Sequence, residues 1–446
     1  MFSISQDFAP PFKLISPYFI VGSLFYLLSV LFLFFFSIEN VSMLDTKTLS
    51  FVHLFLLGFV MITIFGAMAQ LVPVVLEVGH FGVELFYAIW PLLAIGTMLM
   101  VFGFYSYPML LPFGGVVVLI AMMIFVMEIF LTIKKVKKLN LVMSSMLIAN
   151  IFLFFGIIFG LVMALGYAGM IDININSLLR SHVFLVIVGY ITVTIMGLSV
   201  VLLPMFGLSH GFSMKPLERA LKIVSLAVLL VVLSSFIEFK FLEYAGYILA
   251  SVGLFIYFYF IKIVYKTRAR KEIDIYAKSL IFSYFSLIAS LVLGLMYLVV
   301  GYEPLLLTSA WMMFFGFFSF IITGHVYKII PFLVWFERFS PLVGKQKVPM
   351  LADMLPKKSS SAQFLFCAVG TVIIAVAILL QNDIFIKAGA SFLLMGALAF
   401  VRNVFYMTID TQEFSGTLSS RLGYIIAETT GQAEKLRNQD YVSVEE

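Results

Sequence analysis

Three stretches of the chain share one pattern, and this pattern decides the fold. They read HLFLLGFVMITIFGAMAQLVP (53–73), HVFLVIVGYITVTIMGLSVVLLP (182–204) and WMMFFGFFSFIITGHVYKIIP (311–331). In each stretch a glycine is followed after 8 residues by a second glycine, and after 7 more by a proline. The copies are offset by 131 and then 127 residues, which indicates an internal threefold repeat.

The rest of the chain is equally apolar. Hydrophobic residues make up 63% of the 446 residues and charged residues 11%, whereas soluble proteins carry about 25% charged residues. A membrane helix needs about 20 mostly apolar residues. We therefore predict an all-α integral membrane protein with about twelve transmembrane helices in three pseudo-symmetric arcs of four. The apolar runs lie at about 14–37, 47–74, 83–104, 108–133, 141–168, 177–204, 217–239, 242–265, 275–301, 305–335, 362–381 and 383–409.

The predicted domain organisation follows the repeat. Residues 1–410 form one membrane domain, with repeats at about 14–133, 141–265 and 275–409, and residues 411–446 form a cytoplasmic tail. On a regular α-helix the two glycines and the proline fall on one face, where small residues let a neighbouring backbone approach. The second, sixth and tenth helices are thus expected to be inner helices, each with three companions.

Basic residues predict the orientation of the helices. They cluster in loops after even-numbered helices, so by the positive-inside rule both termini face the cytoplasm of a multi-pass protein in the inner (cytoplasmic) membrane. The net charge of +5 is small and dispersed, so we expect membrane lipid and no nucleic acid as partners. The basic residues are Lys134, Lys135, Lys137, Lys138, Lys215, Arg219, Lys266, Arg268, Arg270, Lys271, Arg338, Lys345, Lys347, Lys357 and Lys358.

The first two copies and the residues that follow them carry recognisable motifs. In the first these are His53, Gly58-Phe59, Phe65-Gly66-Ala67 and Leu71-Val72-Pro73, and in the second His182, Gly197, Pro204 and Leu208-Ser209-His210-Gly211. The first set resembles a heme-ligand helix of the heme-copper oxidase catalytic subunit, as in cytochrome-c-linked oxidases and nitric oxide reductases. The second is similar to the NnrS family, which is linked to heme, copper and nitrosative stress. The resemblances imply twelve helices in a threefold arrangement and a bound heme.

The histidine content departs from that of an active oxidase. The resemblance implies more intramembrane histidines, for two hemes and a copper ion, than the 5 histidines of the whole chain. The seventh helix has none, and Trp311 stands at the repeat equivalent of His53. We therefore expect a degenerate relative without copper and without an oxygen-reducing binuclear centre, and we do not expect an active terminal oxidase.

His53 and His182 are the candidate heme ligands, near the outer ends of two inner helices. In repeat register His182 corresponds to position 51, so the two side chains differ in direction by about 200° on ideal helices. Neighbouring helices of a ring would then aim both rings into one shared space. Imidazole is a good axial ligand of heme iron, and heme b is the expected cofactor. The alternative is that each histidine caps a helix or bonds a neighbour.

A second candidate site lies deeper. His325, Lys328, Gln70 and Ser199 are at similar depths on the inner helices, and they predict an inner polar site for a proton, ion or solute path. Hydrogen bonds between helices are the alternative.

Three further ionisable residues lie near the cytoplasmic boundary. We expect His80 and His210 to be solvated, with a metal site as the alternative. Glu128, one turn before Lys134 and Lys135, is expected to pair at the interface.

Three functions remain open at this point. The first is a heme-binding protein that transfers electrons, senses a gas or assists another respiratory membrane subunit or a c-type cytochrome. The second is a transporter or channel for a small solute or metal. The third is a cofactor-free assembly or accessory protein of a respiratory or nitrosative-stress pathway, which would bind its partner through an ordered cytoplasmic loop at 335–356.

Overall fold

The computed structural model describes residues 8–37, 41–42, 44–137, 139–237, 239–345 and 348–409; the predicted tail, Lys138 and Lys347 lie outside them. Twelve helices in this part of the chain are long and apolar enough to cross a membrane, which confirms the prediction of an all-α integral membrane fold. The spans α1 to α12 are Phe12–Phe35, Thr46–Leu76, Val83–Tyr105, Pro108–Ile133, Leu141–Tyr167, Ile175–Gly207, Lys215–Ile237, Lys240–Lys266, Ile275–Val300, Glu303–Leu342, Lys357–Leu380 and Asp383–Thr408.

Successive spans run in opposite directions, so the bundle has two faces. The face at which α1 begins and α12 ends is called the proximal face, and the opposite one the distal face. At the proximal face the backbone N–H of Phe12 donates to Glu337 near the end of α10, at 2.6 Å. At the distal face Lys387 of α12 donates to the Phe34 carbonyl at the end of α1, at 2.7 Å. These contacts join the last repeat to the first.

The repeat glycines lie where each inner helix meets the first helix of its own repeat. A Cβ on Gly66 of α2 would come within 2.5 Å of Tyr18 in α1, so only a glycine allows this approach. The predicted packing role of the glycines is therefore confirmed. The equivalent contacts join Gly197 of α6 to Ser145 of α5, and Gly324 of α10 to Ser279 of α9.

The inner helices are not regular α-helices throughout, and the assumption of 100° per residue is wrong in at least one segment of each. Leu54–Met61 of α2, Phe184–Thr192 of α6 and Met312–Phe318 of α10 are π-helical. These segments occupy equivalent positions of the three repeats. Such wide turns are rare and are often found at functional sites. Here they begin one residue after His53 and two after His182.

The third repeat departs from the other two at the proximal face. α2 and α6 each end at a left-handed residue in equivalent positions, Glu77 (φ 54°) and Leu208 (φ 53°). At the corresponding Trp335, α10 continues instead as a π-turn over Trp335–Phe339. Because α10 is longer, Glu337 reaches the start of α1, where it accepts from the Phe12 N–H.

Candidate functional site

His53 is held with one ring nitrogen engaged. It lies on α2 directly before the π-helical segment, and its Nδ1–H donates to the Leu49 carbonyl at 2.8 Å. A carbonyl only accepts, so the ring proton is on Nδ1 and Nε2 of the neutral ring carries a lone pair. The ring stacks on Phe104 of α3, with centroids 4.9 Å apart. These contacts fix the orientation of the imidazole.

His182 is held in the same way by a different helix. Its Nδ1–H donates to the Gly156 carbonyl of α5 at 2.8 Å, which again leaves a lone pair on Nε2. One turn further along α5, Gly160 makes room for the ring, because a Cβ there would lie 2.9 Å from the His182 Cε1 atom. His182 thus points from α6 towards α5, while His53 points from α2 towards α3.

The two imidazoles lie near the distal ends of their inner helices, on different repeats. Phe104 connects their surroundings, because it stacks on the His53 ring and also contacts Tyr167 of α5, the helix whose Gly156 carbonyl accepts from His182. Neither Nε2 atom has a hydrogen-bond partner among the described residues, and both side chains keep partial accessibility. No group of three or more His, Cys, Asp or Glu side chains that could hold a metal ion occurs in the described ranges. The donor set available at this point is two imidazoles.

The four residues of the predicted inner polar site do not surround one space. His325 and Ser199 line a cavity between the inner helices, whereas Lys328 and Gln70 are not part of its wall. Lys328 instead forms an ion pair with Asp274 at the proximal start of α9, with Nζ 2.6 Å from Oδ2. Gln70 is buried, and its Oε1 has no hydrogen-bond partner in the described part of the chain.

His325 is turned towards α9. Its Nδ1–H donates to the Ile321 carbonyl at 2.7 Å, and its Nε2 lies 3.4 Å from the Tyr276 hydroxyl. The His325 ring therefore bonds to its own helix and contacts the preceding helix α9, which agrees with the alternative of hydrogen bonding between helices.

His80 contradicts the expectation of a solvated histidine, whereas His210 is exposed as expected. The His80 side chain is 2% exposed, with Nδ1 2.8 Å from Glu128 Oε1 and Nε2 2.6 Å from the Ala69 carbonyl. That carbonyl has no partner within the helix because Pro73 lacks the N–H that would bond to it. Both ring nitrogens face acceptors, so the geometry is that of an imidazolium paired with a carboxylate.

Glu128 likewise does not pair at the interface with Lys134 or Lys135. It is fully buried, and besides His80 its Oε1 accepts from the Phe81 backbone N–H at 3.0 Å and from the Thr132 hydroxyl at 2.7 Å. Lys135 donates instead to the His80 carbonyl, at 2.8 Å. A buried carboxylate requires such donors, which is why the loop after α2 folds back onto α4.

The proximal loop at 335–356 is held in place where it is described. The Trp335 indole N–H donates to the Pro349 carbonyl at 2.9 Å, and Met354 is 3% exposed. The expectation of an ordered loop agrees with these contacts; its proposed binding role stays a prediction.

Sequence reasoning missed the residues that contact the candidate side chains. Phe104 and Gly160 lie on other helices than His53 and His182, which they contact, and nothing in their own spans marks them. Asp274, the partner of Lys328, had a usable signal, because it is the N-cap residue that precedes α9 and accepts from the Ala277 N–H.

Comparison with protein-family models gives no match for the chain, and comparison with curated proteins gives none either. The resemblance to heme-copper oxidases and to the NnrS family therefore stays a prediction.

Proposed function

We propose that this protein is a heme-binding membrane protein in which His53 and His182 are the axial ligands of a b-type heme. The observation that carries the proposal is the state of the two rings. Each is oriented by a backbone carbonyl that accepts from Nδ1–H, each has an Nε2 lone pair with no partner among the described residues, and Phe104 contacts both His53 and Tyr167 of α5, the helix that holds His182. Such bonding from the second nitrogen is usual for metal-bound histidine, where it fixes the tautomer and orientation.

The donor set suits heme better than a bare metal ion. Structural zinc takes four protein ligands and catalytic zinc takes three, and copper sites have similar needs. Heme brings four nitrogens of its own, so the protein needs to supply only one or two axial ligands. Two imidazoles meet this need without a third residue.

The arrangement favours electron transfer over gas binding. Heme with two axial histidines has both axial positions filled, and it would supply a one-electron redox centre within the bundle. The chain itself holds the imidazoles in a fixed orientation through Leu49 and Gly156, stacks Phe104 on one ring and leaves room for the other at Gly160. Ligands held in this way would change position little on electron transfer, so the reorganisation energy would be small.

The biological setting follows from the sequence-based expectations. The protein would be a degenerate relative of the heme-copper oxidase catalytic subunit in the inner membrane, with both termini in the cytoplasm. It would pass electrons to or from another respiratory membrane subunit or a c-type cytochrome. Catalysis of oxygen reduction is not part of this proposal.

The transporter hypothesis has less support. A polar path along the inner helices would need His325, Lys328, Gln70 and Ser199 around one space, but Lys328 and Gln70 lie outside the cavity wall. The assembly hypothesis depends on the ordered proximal loop and predicts a colourless protein. Both alternatives predict no bound chromophore, so one spectrum separates them from the heme proposal.

The test is a reduced-minus-oxidised spectrum with a pyridine hemochrome assay on purified protein produced with ample heme. We expect b-type bands at close to one heme per chain, lost in His53→Ala and in His182→Ala. His210→Ala is the matched control, because His210 is exposed and its loss should leave the spectrum unchanged. A folded, monodisperse and colourless wild-type protein would overturn the proposal.

A further inference from the structure

A cavity lies between the three inner helices, on the axis that relates the repeats. Two of its wall layers are made of repeat-equivalent residues, one from each inner helix. Equivalent positions can meet around one space only where the three helices converge on the pseudo-threefold axis. The layers are Ile64, Ile195 and Ile322, and Leu71, Leu202 and Ile329.

The cavity exists because the layer between them is uneven. Its members are Ala67, Leu198 and His325. His325 turns away from the axis towards Tyr276 of α9, and Ala67 has only a methyl group to offer. The space that a leucine in the first repeat would fill is therefore left open.

The polar side chains at the wall direct their hydrogen bonds elsewhere. The Ser199 hydroxyl donates to the Met196 carbonyl at 2.6 Å, and the Tyr284 hydroxyl lies 3.1 Å from that of Tyr257. The Thr63 hydroxyl is the exception at this wall, since it has no partner among the described residues. An internal water needs two to four polar partners, so a single hydroxyl does not hold one stably.

The size of the cavity restricts the occupant. It offers about 80 Å³ to the centres of water-sized molecules. An apolar protein cavity of about 150 Å³ remains dry and takes up benzene or xenon. The present cavity is about half as large, so it suits a molecule smaller than benzene.

We propose that this axial cavity is a binding site for a small apolar molecule, of the class of dioxygen, nitric oxide or xenon. Binding would come from dispersion contacts with the isoleucine and leucine layers, since a void leaves these contacts unmade. The site is independent of the heme proposal, because Ala67 follows His53 by fourteen positions along α2. Either site can be absent while the other is present.

Xenon is the probe for this site. Crystals of the full-length protein are pressurised with xenon, and an anomalous difference map locates the bound atoms. We expect a xenon peak on the axis between Ile64, Leu198 and Ile322 in the wild type. The peak should be lost in Ala67→Leu, which gives the first repeat the same side chain as Leu198 in the second. Ala67→Val serves as a milder second variant, with a weakened peak.

The matched control is Ala388→Leu, which adds the same atoms at an exposed position of α12 and should leave the axial peak unchanged. Three outcomes would overturn the proposal. These are no axial peak in the wild type, an axial peak that persists in Ala67→Leu, or ordered water or lipid density in the cavity that xenon does not displace. None of them bears on the optical test for heme.

Discussion

Two histidine environments of this protein differ in how many ring nitrogens form hydrogen bonds. At the proximal side His80 has both ring nitrogens engaged, by Glu128 and by the Ala69 carbonyl. At the distal side His53 and His182 each have one nitrogen engaged by a carbonyl, and the other has no partner in the described ranges. Both nitrogens of the His80 ring are thus hydrogen-bonded, and we call this ring saturated. In His53 and His182 the Nε2 atom keeps an unshared lone pair that can bind a metal ion.

The difference distinguishes His80 from the two proposed heme ligands. A saturated imidazole can bind nothing further without giving up a bond, so His80 serves to hold the loop after α2 onto α4. His53 and His182 each have an Nε2 lone pair that is not paired within the described residues, so it is available to a metal ion without loss of a hydrogen bond. The number of hydrogen-bond partners therefore distinguishes His80 from His53 and His182.

The largest expected effect is the rescue of a deleted distal ligand. His53→Gly removes the imidazole and should abolish the heme bands, and added imidazole should restore them by occupying the vacated space next to Phe104. Optical titration of the purified variant with imidazole measures this. The corresponding His80→Gly variant should retain its heme bands per folded chain and show no response to imidazole. A heme signal lost only in His80→Gly would reverse the assignment of roles.

The second effect is the loss of stability when the saturated pair is broken. Glu128→Ala leaves the His80 imidazolium buried without its counter-charge, and removal of one partner of a buried pair destabilises by about 3–5 kcal/mol. We expect a marked drop in the thermal unfolding midpoint in detergent. The double variant His80→Ala/Glu128→Ala should lose less than the sum of the single variants, because the two residues are in contact. Additive losses would show that the pair is not coupled.

Much of the fold could be predicted from the sequence, because lipid imposes strong rules on composition. The length of the apolar runs predicted twelve spans, and the glycine spacing predicted the contacts of the inner helices. The π-helical segments could not be predicted in this way. Leu54–Met61 is apolar at every position except Gly58, so no polar side chain marks the change in helical period.

The candidate site was predictable only in part. Repeat register predicted that His53 and His182 face one shared space, which stays a prediction, and it gave no information on their carbonyl partners. The His80–Glu128 pair was missed because the residues are 48 positions apart. Two signals were present: a carboxylate within the apolar run of α4 needs a donor, and Pro73 frees the Ala69 carbonyl for one. A search for partners of both groups would have led to His80.

A smaller effect is expected from crowding the distal site. Gly160→Ala places a methyl group 2.9 Å from the His182 ring, so the ring must shift. Overpacking costs about 1–3 kcal/mol, and the gain of about 1 kcal/mol in helix propensity offsets part of it. We expect reduced heme content with a small change in the unfolding midpoint. Gly79→Ala, next to His80, is the control, since its methyl group would meet only Phe8 at 3.8 Å. Equal effects of both variants would argue against a distal ligand site.

The smallest effect is expected from Lys135, which touches the saturated environment from outside. Its Nζ donates to the Gly79 and His80 carbonyls at 3.0 and 2.8 Å, but the side chain is exposed. Exposed interactions of a lysine contribute less than about 1 kcal/mol. Lys135→Met should therefore lower the unfolding midpoint only slightly. If it lowered the midpoint as far as Glu128→Ala does, the lysine contacts, and not the buried pair, would hold the loop on α4, and the contrast between the two environments would rest on the distal histidines alone.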